Sequence, residues 1–191
     1  MLLDQDPRWR RLHDRKWTCP CCGLKHGGLF DLVTAKPDAW PGSTDPSPNS
    51  EVLTSSNILT EDFCILNGER FFVRCLLRLP IATKPDVSFG FGTWTTLSRT
   101  NFELYLDTFD GAEQGDLGPW FGWVSNRLIG YPDTLNLKCE VQPQADRQRP
   151  LIRLEPTQHP VAIEQRDGIT FDRVLEIYTL SGHDLRAALS D

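Results

Sequence analysis

Regular alternation of apolar and polar positions begins at Asp62. The run Phe63 to Leu66, the pair Asn67-Gly68 and the run Arg70 to Leu79 predict a β-hairpin. Asn-Gly readily takes the positive φ angles that a type I′ turn needs. Val87 to Leu97 sets Phe89, Phe91 and Trp94 among small or polar residues and predicts a further strand. Gly90 and Gly92 within it point to a bulge or a close backbone approach. Thr100-Asn101-Phe102-Glu103 reads as a capping box, opening a short helix with Phe102, Leu106 and Phe109 on its buried side and an end near Gly111. Strands are expected at Trp120 to Leu128, Leu135 to Val141 and Leu151 to Leu154, between the turn-rich stretches Gly130 to Asp133 and Asp146 to Pro150. Pro160 opens a helix through Gln165, Gly168 stops it, and Thr170 caps another that carries Val174, Ile177 and Tyr178.

Strands in consecutive runs with few helices define an α+β fold: an antiparallel sheet with a few covering helices, preceded by an N-terminal segment whose Cys19-x-x-Cys22 spacing reads as a zinc knuckle. Residues 1–16 are polar and charged and read as a flexible lead-in. Residues 17–191 form one domain, interrupted at about 35–51 by a Pro/Ser-rich surface loop.

Composition narrows the function classes. With 39% hydrophobic residues, ten Phe and six Trp, a chain of 191 residues buries a core without disulfides. The net charge of -6 and the lack of a basic stripe argue against a nucleic-acid partner. The charged N-terminus is not a secretory signal, and no apolar run is long enough to span a membrane. Six cysteines without an export signal are then reduced thiols or metal ligands, and the expected location is the cytoplasm.

The sharpest chemical feature is Cys19-Pro20-Cys21-Cys22-Gly23. Zinc takes thiolates at about 2.3 Å in a tetrahedral array, and two cysteines three apart on a tight turn supply half of it. Pro20 pre-sets the turn and Gly23 allows a strained exit. The favoured set is Cys19, Cys22, His26 and Cys64, around a structural Zn2+. Cys75, Cys139 and His159 are more distant options, and each cysteine of the strands alone reads as a small buried hydrophobe. Cys21 is expected to point away, and His13 and His183 to be solvated. A C-x-x-C redox site is the weaker alternative, because Gly23 and Gly27-Gly28 make a poor helix after the cysteines.

Two further constellations carry chemistry. His159 and Glu164 could act as an acid/base pair. Trp94, Trp120 and Trp123, with Phe121, Tyr131 and His159 nearby, could line a ligand pocket, with core packing as the plainer reading. Nucleophile-elbow, zinc-protease and Walker motifs are absent.

Several phrases are shared with a known family: Cys19-x-x-Cys22-Gly23-x-x-His26; Asp62-x-Cys64 through Gly68 into Phe71-Phe72-Val73-Arg74; Gly92-x-Trp94; Phe121-Gly122-Trp123; Gly130-Tyr131-Pro132-Asp133 through Lys138; Arg149-Pro150 to Thr157; and His159-Pro160 through Thr170. From about Trp17 to Leu180 the chain resembles the bacterial family of uncharacterised proteins labelled domain of unknown function 2199. The resemblance implies no activity. It puts Cys19, Cys22, His26 and Cys64 on family positions and leaves Cys75 and Cys139 off them. The expected function is a non-enzymatic binding or interaction module with structural zinc and an unidentified protein or small-molecule partner. A metal- or His/Glu-dependent hydrolase is the alternative, and an adaptor neutralising a basic partner is a third.

Overall fold

A computed structural model describes residues 3–42, 51–54 and 56–190. Helix α1 (Pro7–Leu12) begins where the Asp6 carboxylate accepts from the Arg8 backbone N–H at 2.9 Å, with Pro7 in the first turn. Of the expected flexible lead-in at 1–16, residues 3–16 are described, and α1 packs against the core. Trp9 and Leu12, three apart and so on one face, are buried in the main core. Trp9 meets Phe171 edge-on at 5.1 Å, and Arg8 bridges Asp6 and Asp172.

The strands are β1 (Leu32–Val33), β2 (Val52–Leu53), β3 (Ile58–Leu59), β4 (Phe63–Leu66), β5 (Arg70–Ile81) and β6 (Lys84–Leu97), then β7 (Trp120–Trp123), β8 (Lys138–Gln142) and β9 (Leu151–Leu154). Helix α2 (Arg99–Asp107) separates β6 from β7, and α3 (Pro160–Asp167), α4 (Phe171–Leu180) and α5 (Leu185–Ala188) close the chain. The fold is α+β with a mostly antiparallel sheet, as the run of strands predicts. Among the described residues the sheet order is β2-β3-β4-β5-β9-β8-β7, with β6 paired to β5 and β1. Among the described strands the β1–β6 and β5–β9 pairs are parallel, and an isolated parallel bridge joins Ile81 to Ile169. A bridge between Thr95 and Val124 brings β6 back to the end of β7, so β5, β6, β7, β8 and β9 form a closed cycle.

Local signals held where the chemistry is local. Asn67 and Gly68 have φ of 53° and 65°, as a type I′ turn demands. Gly168 leaves α3 at φ 94°, and the Thr170 hydroxyl accepts from the Arg173 N–H at the start of α4. Gly90 and Gly92 make no bulge, because the β5–β6 register runs unbroken from Phe71–Leu97 to Pro80–Ser88. They permit close approach instead: a Cβ on Gly92 would lie 2.7 Å from Val33 Cγ1, and one on Gly90 2.5 Å from Asp31 Oδ1.

Other boundaries differ from expectation. Helix α2 is capped by Ser98, whose hydroxyl accepts from the Asn101 N–H, and Glu103 pairs with Arg99 instead of closing a capping box. Its buried residues are Phe102 and Tyr105, with Leu106 at the surface. The strand expected through Leu128 ends at Trp123, since Asn126 turns inward. Its side-chain oxygen accepts from Trp94 N at 2.8 Å while its amide donates to Lys36 O and Asp38 Oδ1. Of the expected loop at 35–51, residues 43–50 lie outside the described residues.

Apolar burial forms two clusters. The main one joins α1, Cys19, the inner face of β5 and helices α2 to α5; the smaller holds Leu59, Cys64, Leu66, Phe72 and Trp94.

Candidate metal centre

The segment Cys19 to His26 is a tight loop built by its own backbone. Gly23 N–H donates to Cys19 O and Cys19 N–H donates to Leu24 O, both at 2.8 Å, and Gly23 exits at φ 72°. This geometry turns the Cys22 side chain back toward Cys19. One turn later His26 brings its Nε2 to 3.2 Å from Cys22 Sγ. The ligand atoms of Cys19, Cys22 and His26 all lie within 4.8 Å of one another. Edges of a tetrahedral zinc site with these donors are about 3.5–3.8 Å, given bonds of about 2.0–2.3 Å. The three therefore form a group that could hold a metal ion, and soft thiolates with imidazole suit zinc.

The group is anchored on one side and open on the other. Cys19 is fully buried in the main core, while Cys22 is exposed. His26 stacks on Phe30 at 3.8 Å, and Phe30 stacks on Tyr178 at 4.2 Å, both 19° from parallel. The Tyr178 hydroxyl donates to Phe30 O at 2.7 Å and accepts from Phe30 N–H at 2.8 Å, which fixes this stack to α4. Burial, followed by the neighbouring His183, holds His26 below its ordinary pKa and favours the neutral ring a metal requires.

Cys64 does not join this group. The burial pattern of β4 alternates, putting Cys64 and Leu66 on the side of Leu59, Phe72 and Trp94, whereas Phe63 and Ile65 pack against the main core that contains Cys19. A strand's side chains switch faces at every residue, so a ligand one position off faces the wrong cluster. Burial pushes its thiol up to about 12. Cys75 and Cys139 are equally buried, with raised pKa for the same reason. Cys21 is exposed. His13 lies against Trp9, its ring tilted by 36°, with Nδ1 at 2.8 Å from Trp9 O. His183, expected in solvent, is partly buried, with its ring edge-on to His26 at 6.3 Å and to Phe30 at 5.2 Å. No local signal marks it, since the α4–α5 turn brings it there.

The four residues of the expected ligand pocket are dispersed. Trp94 is buried in the smaller cluster and its indole N–H donates to Thr34 O at 3.2 Å. Trp120 packs partly against the main core, at the rim of a cavity of about 470 Å3. Trp123, 36% exposed, lines a different cleft of about 480 Å3 with Asp38, Arg70, Thr96 and Arg127. His159 caps α3, its Nδ1 accepting from Val161 N–H at 3.3 Å. Its supposed partner Glu164 instead accepts from the Tyr131 hydroxyl and faces Arg173 at 3.6 Å.

Fold and site together define an α+β domain with a Cys2His group that could hold a metal ion. The chain belongs to the family described as an uncharacterised protein conserved in bacteria, domain of unknown function 2199, whose model covers residues 18–169. No curated protein and no solved structure matches the chain. Among the described residues no helix is long and apolar enough to cross a membrane.

Proposed function

We propose that this protein is a non-enzymatic binding module in which zinc on Cys19, Cys22 and His26 fastens the N-terminal segment to the α+β core. The observation that carries this reading is the convergence of the three ligand atoms within 4.8 Å. The metal supplies folding energy by cross-linking a loop that otherwise has one buried side chain, Cys19, to hold it. His159 and Glu164 are engaged with other partners, the Val161 N–H and the Tyr131 hydroxyl, which favours this role over a His/Glu-dependent hydrolase. Six free cysteines and a thiolate site suit a reducing compartment, the cytoplasm. A protein or small-molecule partner fits best at the Trp123 cleft, beside the half-exposed Phe121, which meets Trp123 edge-on at 5.0 Å.

Elemental analysis of protein purified without added metal tests the reading. About one zinc per chain is expected. Metal-free protein that also fails to take up zinc, or that carries Cys19 and Cys22 oxidised to each other, overturns it.

A further inference from the structure

Three protein ligands leave a tetrahedral ion one donor short, and what fills that place decides between a closed structural site and an open one. Cys64 and Cys139 are locked in strands and Cys21 is turned outward on the knuckle itself. His13 is turned to its own helix, with Nε2 lodged against Gly28, where an added Cβ would lie 3.2 Å away. His183 alone among these stands beside His26.

We propose that His183 is the fourth ligand, so that the metal closes as a Cys2His2 site and ties the α4–α5 turn to the N-terminal knuckle. The inference rests on the zinc reading above and deepens it. Three observations carry it.

The first is distance. With zinc–nitrogen bonds of about 2.0–2.1 Å at a tetrahedral angle, two ligating imidazoles have centroids about 5 Å apart. The His26 and His183 rings are 6.3 Å apart and 76° from parallel, about 1 Å wider than that spacing, so His183 stands next to the converging group and joins it by a movement of its ring. The second is tautomer. Ser181 Oγ donates to Tyr178 O at 2.7 Å, which commits its only hydrogen. Its lone pair then accepts from His183 Nδ1–H at 3.4 Å, and Nε2 is left with the lone pair a metal needs. Metal-bound histidines are commonly oriented by a partner on their other nitrogen in this way. The third is support. His183 N–H donates to Tyr178 O at 2.8 Å, and Tyr178 also holds Phe30, the ring on which His26 stacks. One residue, Tyr178, thus positions both imidazoles, His183 through its backbone carbonyl and His26 through its hydroxyl on Phe30.

The site so completed has four protein donors and no place for a reactive water. It also joins two ends of the chain, and its closing ligand lies beyond the stretch matched by the family.

X-ray absorption on the zinc-loaded wild-type protein gives the first test: two sulfurs and two imidazoles are expected, whereas two sulfurs, one imidazole and one oxygen overturn the inference while leaving the zinc reading intact. Competition titration with a chromophoric chelator gives the second. His183→Ala should weaken zinc binding by about tenfold or more and change the cobalt(II) visible spectrum, while His183→Cys restores four-coordinate binding. His13→Gln should match the wild type. Equal affinity and an unchanged cobalt spectrum in His183→Ala refute the role of His183. Absence of zinc uptake by the wild type refutes the metal reading itself, so the two failures are distinct. Should His183→Ala fail to fold, the wild-type absorption spectrum still decides.

Discussion

Six cysteines divide evenly between two settings in this molecule. Cys19, Cys21 and Cys22 lie on a turn whose backbone closes on itself, and Cys64, Cys75 and Cys139 lie in strands of the sheet. On the turn, successive side chains fan around a point, so two sulfurs and the imidazole of His26 converge, with the Phe30–Tyr178 stack holding the ring in place. In the strands, side chains alternate between faces and each thiol is packed among apolar neighbours, where burial penalises the thiolate. A thiolate is what a metal binds, so the same residue type is a ligand in one setting and a small hydrophobe in the other. Cys19 is as buried as the strand cysteines, so what separates the two settings is local backbone geometry, which gives Cys19 a second sulfur and an imidazole as neighbours.

The largest expected effect breaks the turn half of this contrast. Cys22 is exposed, so Cys22→Ser removes little packing and isolates the ligand's contribution. The variant should lose its zinc, and its stability should fall by about 4 kcal/mol when zinc stands a thousandfold above the wild-type Kd. Calorimetry with and without a chelator checks this: the chelator should lower the wild-type midpoint to that of the variant and leave the variant unmoved. A chelator-sensitive Cys22→Ser protein would place the metal elsewhere.

The same division explains what the sequence disclosed. The Asn67-Gly68 turn, the Thr170 cap and the Cys19–Cys22–His26 group each involve residues a few positions apart, and their geometry is set by backbone preferences that the residue types themselves impose. The anchored α1 was legible too, in Asp6-Pro7 followed by Trp9 and Leu12 at helical spacing, yet the surrounding arginines masked it. Cys64 and His183 were not legible. Whether Cys64 faces the knuckle depends on the parity of β4 relative to a sheet face chosen by distant packing. The approach of His183 to His26 depends on α4 docking its Tyr178 onto Phe30, a contact across most of the chain. The Trp residues failed as a pocket for a related reason: spacing along the chain does not say that Trp94 and Trp123 belong to opposite environments, one sealed and one at a cleft.

A middle-sized effect should appear in the strand half. Cys64→Ser puts a hydroxyl among Leu59, Leu66, Phe72 and Trp94 and should cost about 1–3 kcal/mol with zinc content unchanged. Alkaline pH sharpens the point. The Cys64 thiol ionises near 9.0 when exposed but only at about 12 in the fold. Between those values the folded chain holds a proton that the unfolded chain has released, so this contribution to stability is full below pH 9 and drains away as pH rises toward 12. Denaturant midpoints followed upward from pH 8 should therefore decline in the wild type and decline less steeply in Cys64→Ser. Parallel declines would mean that this thiol is not the buried hydrophobe described above, and loss of zinc in the variant would return Cys64 to the ligand shell.

The smallest expected effect falls on Cys21, and it is the most discriminating for the knuckle's register. Cys21 sits between the two ligand cysteines, exposed and outside the converging group. Cys21→Ser should retain zinc and shift stability by no more than about 0.5 kcal/mol, as surface changes usually do. Its thiol, free of metal and open to solvent, should account for the single fast-reacting sulfhydryl of the zinc-loaded wild type. Chelation should then add Cys22 to the fast class, while Cys64, Cys75 and Cys139 stay slow in both states because the fold must open to expose them. A colorimetric thiol reagent at neutral pH counts these classes directly. If Cys21→Ser instead loses zinc and Cys22→Ser keeps it, the metal is held by adjacent positions of a differently wound turn, and the backbone bonds from Gly23 to Cys19 and from Cys19 to Leu24 cannot be what shapes the site.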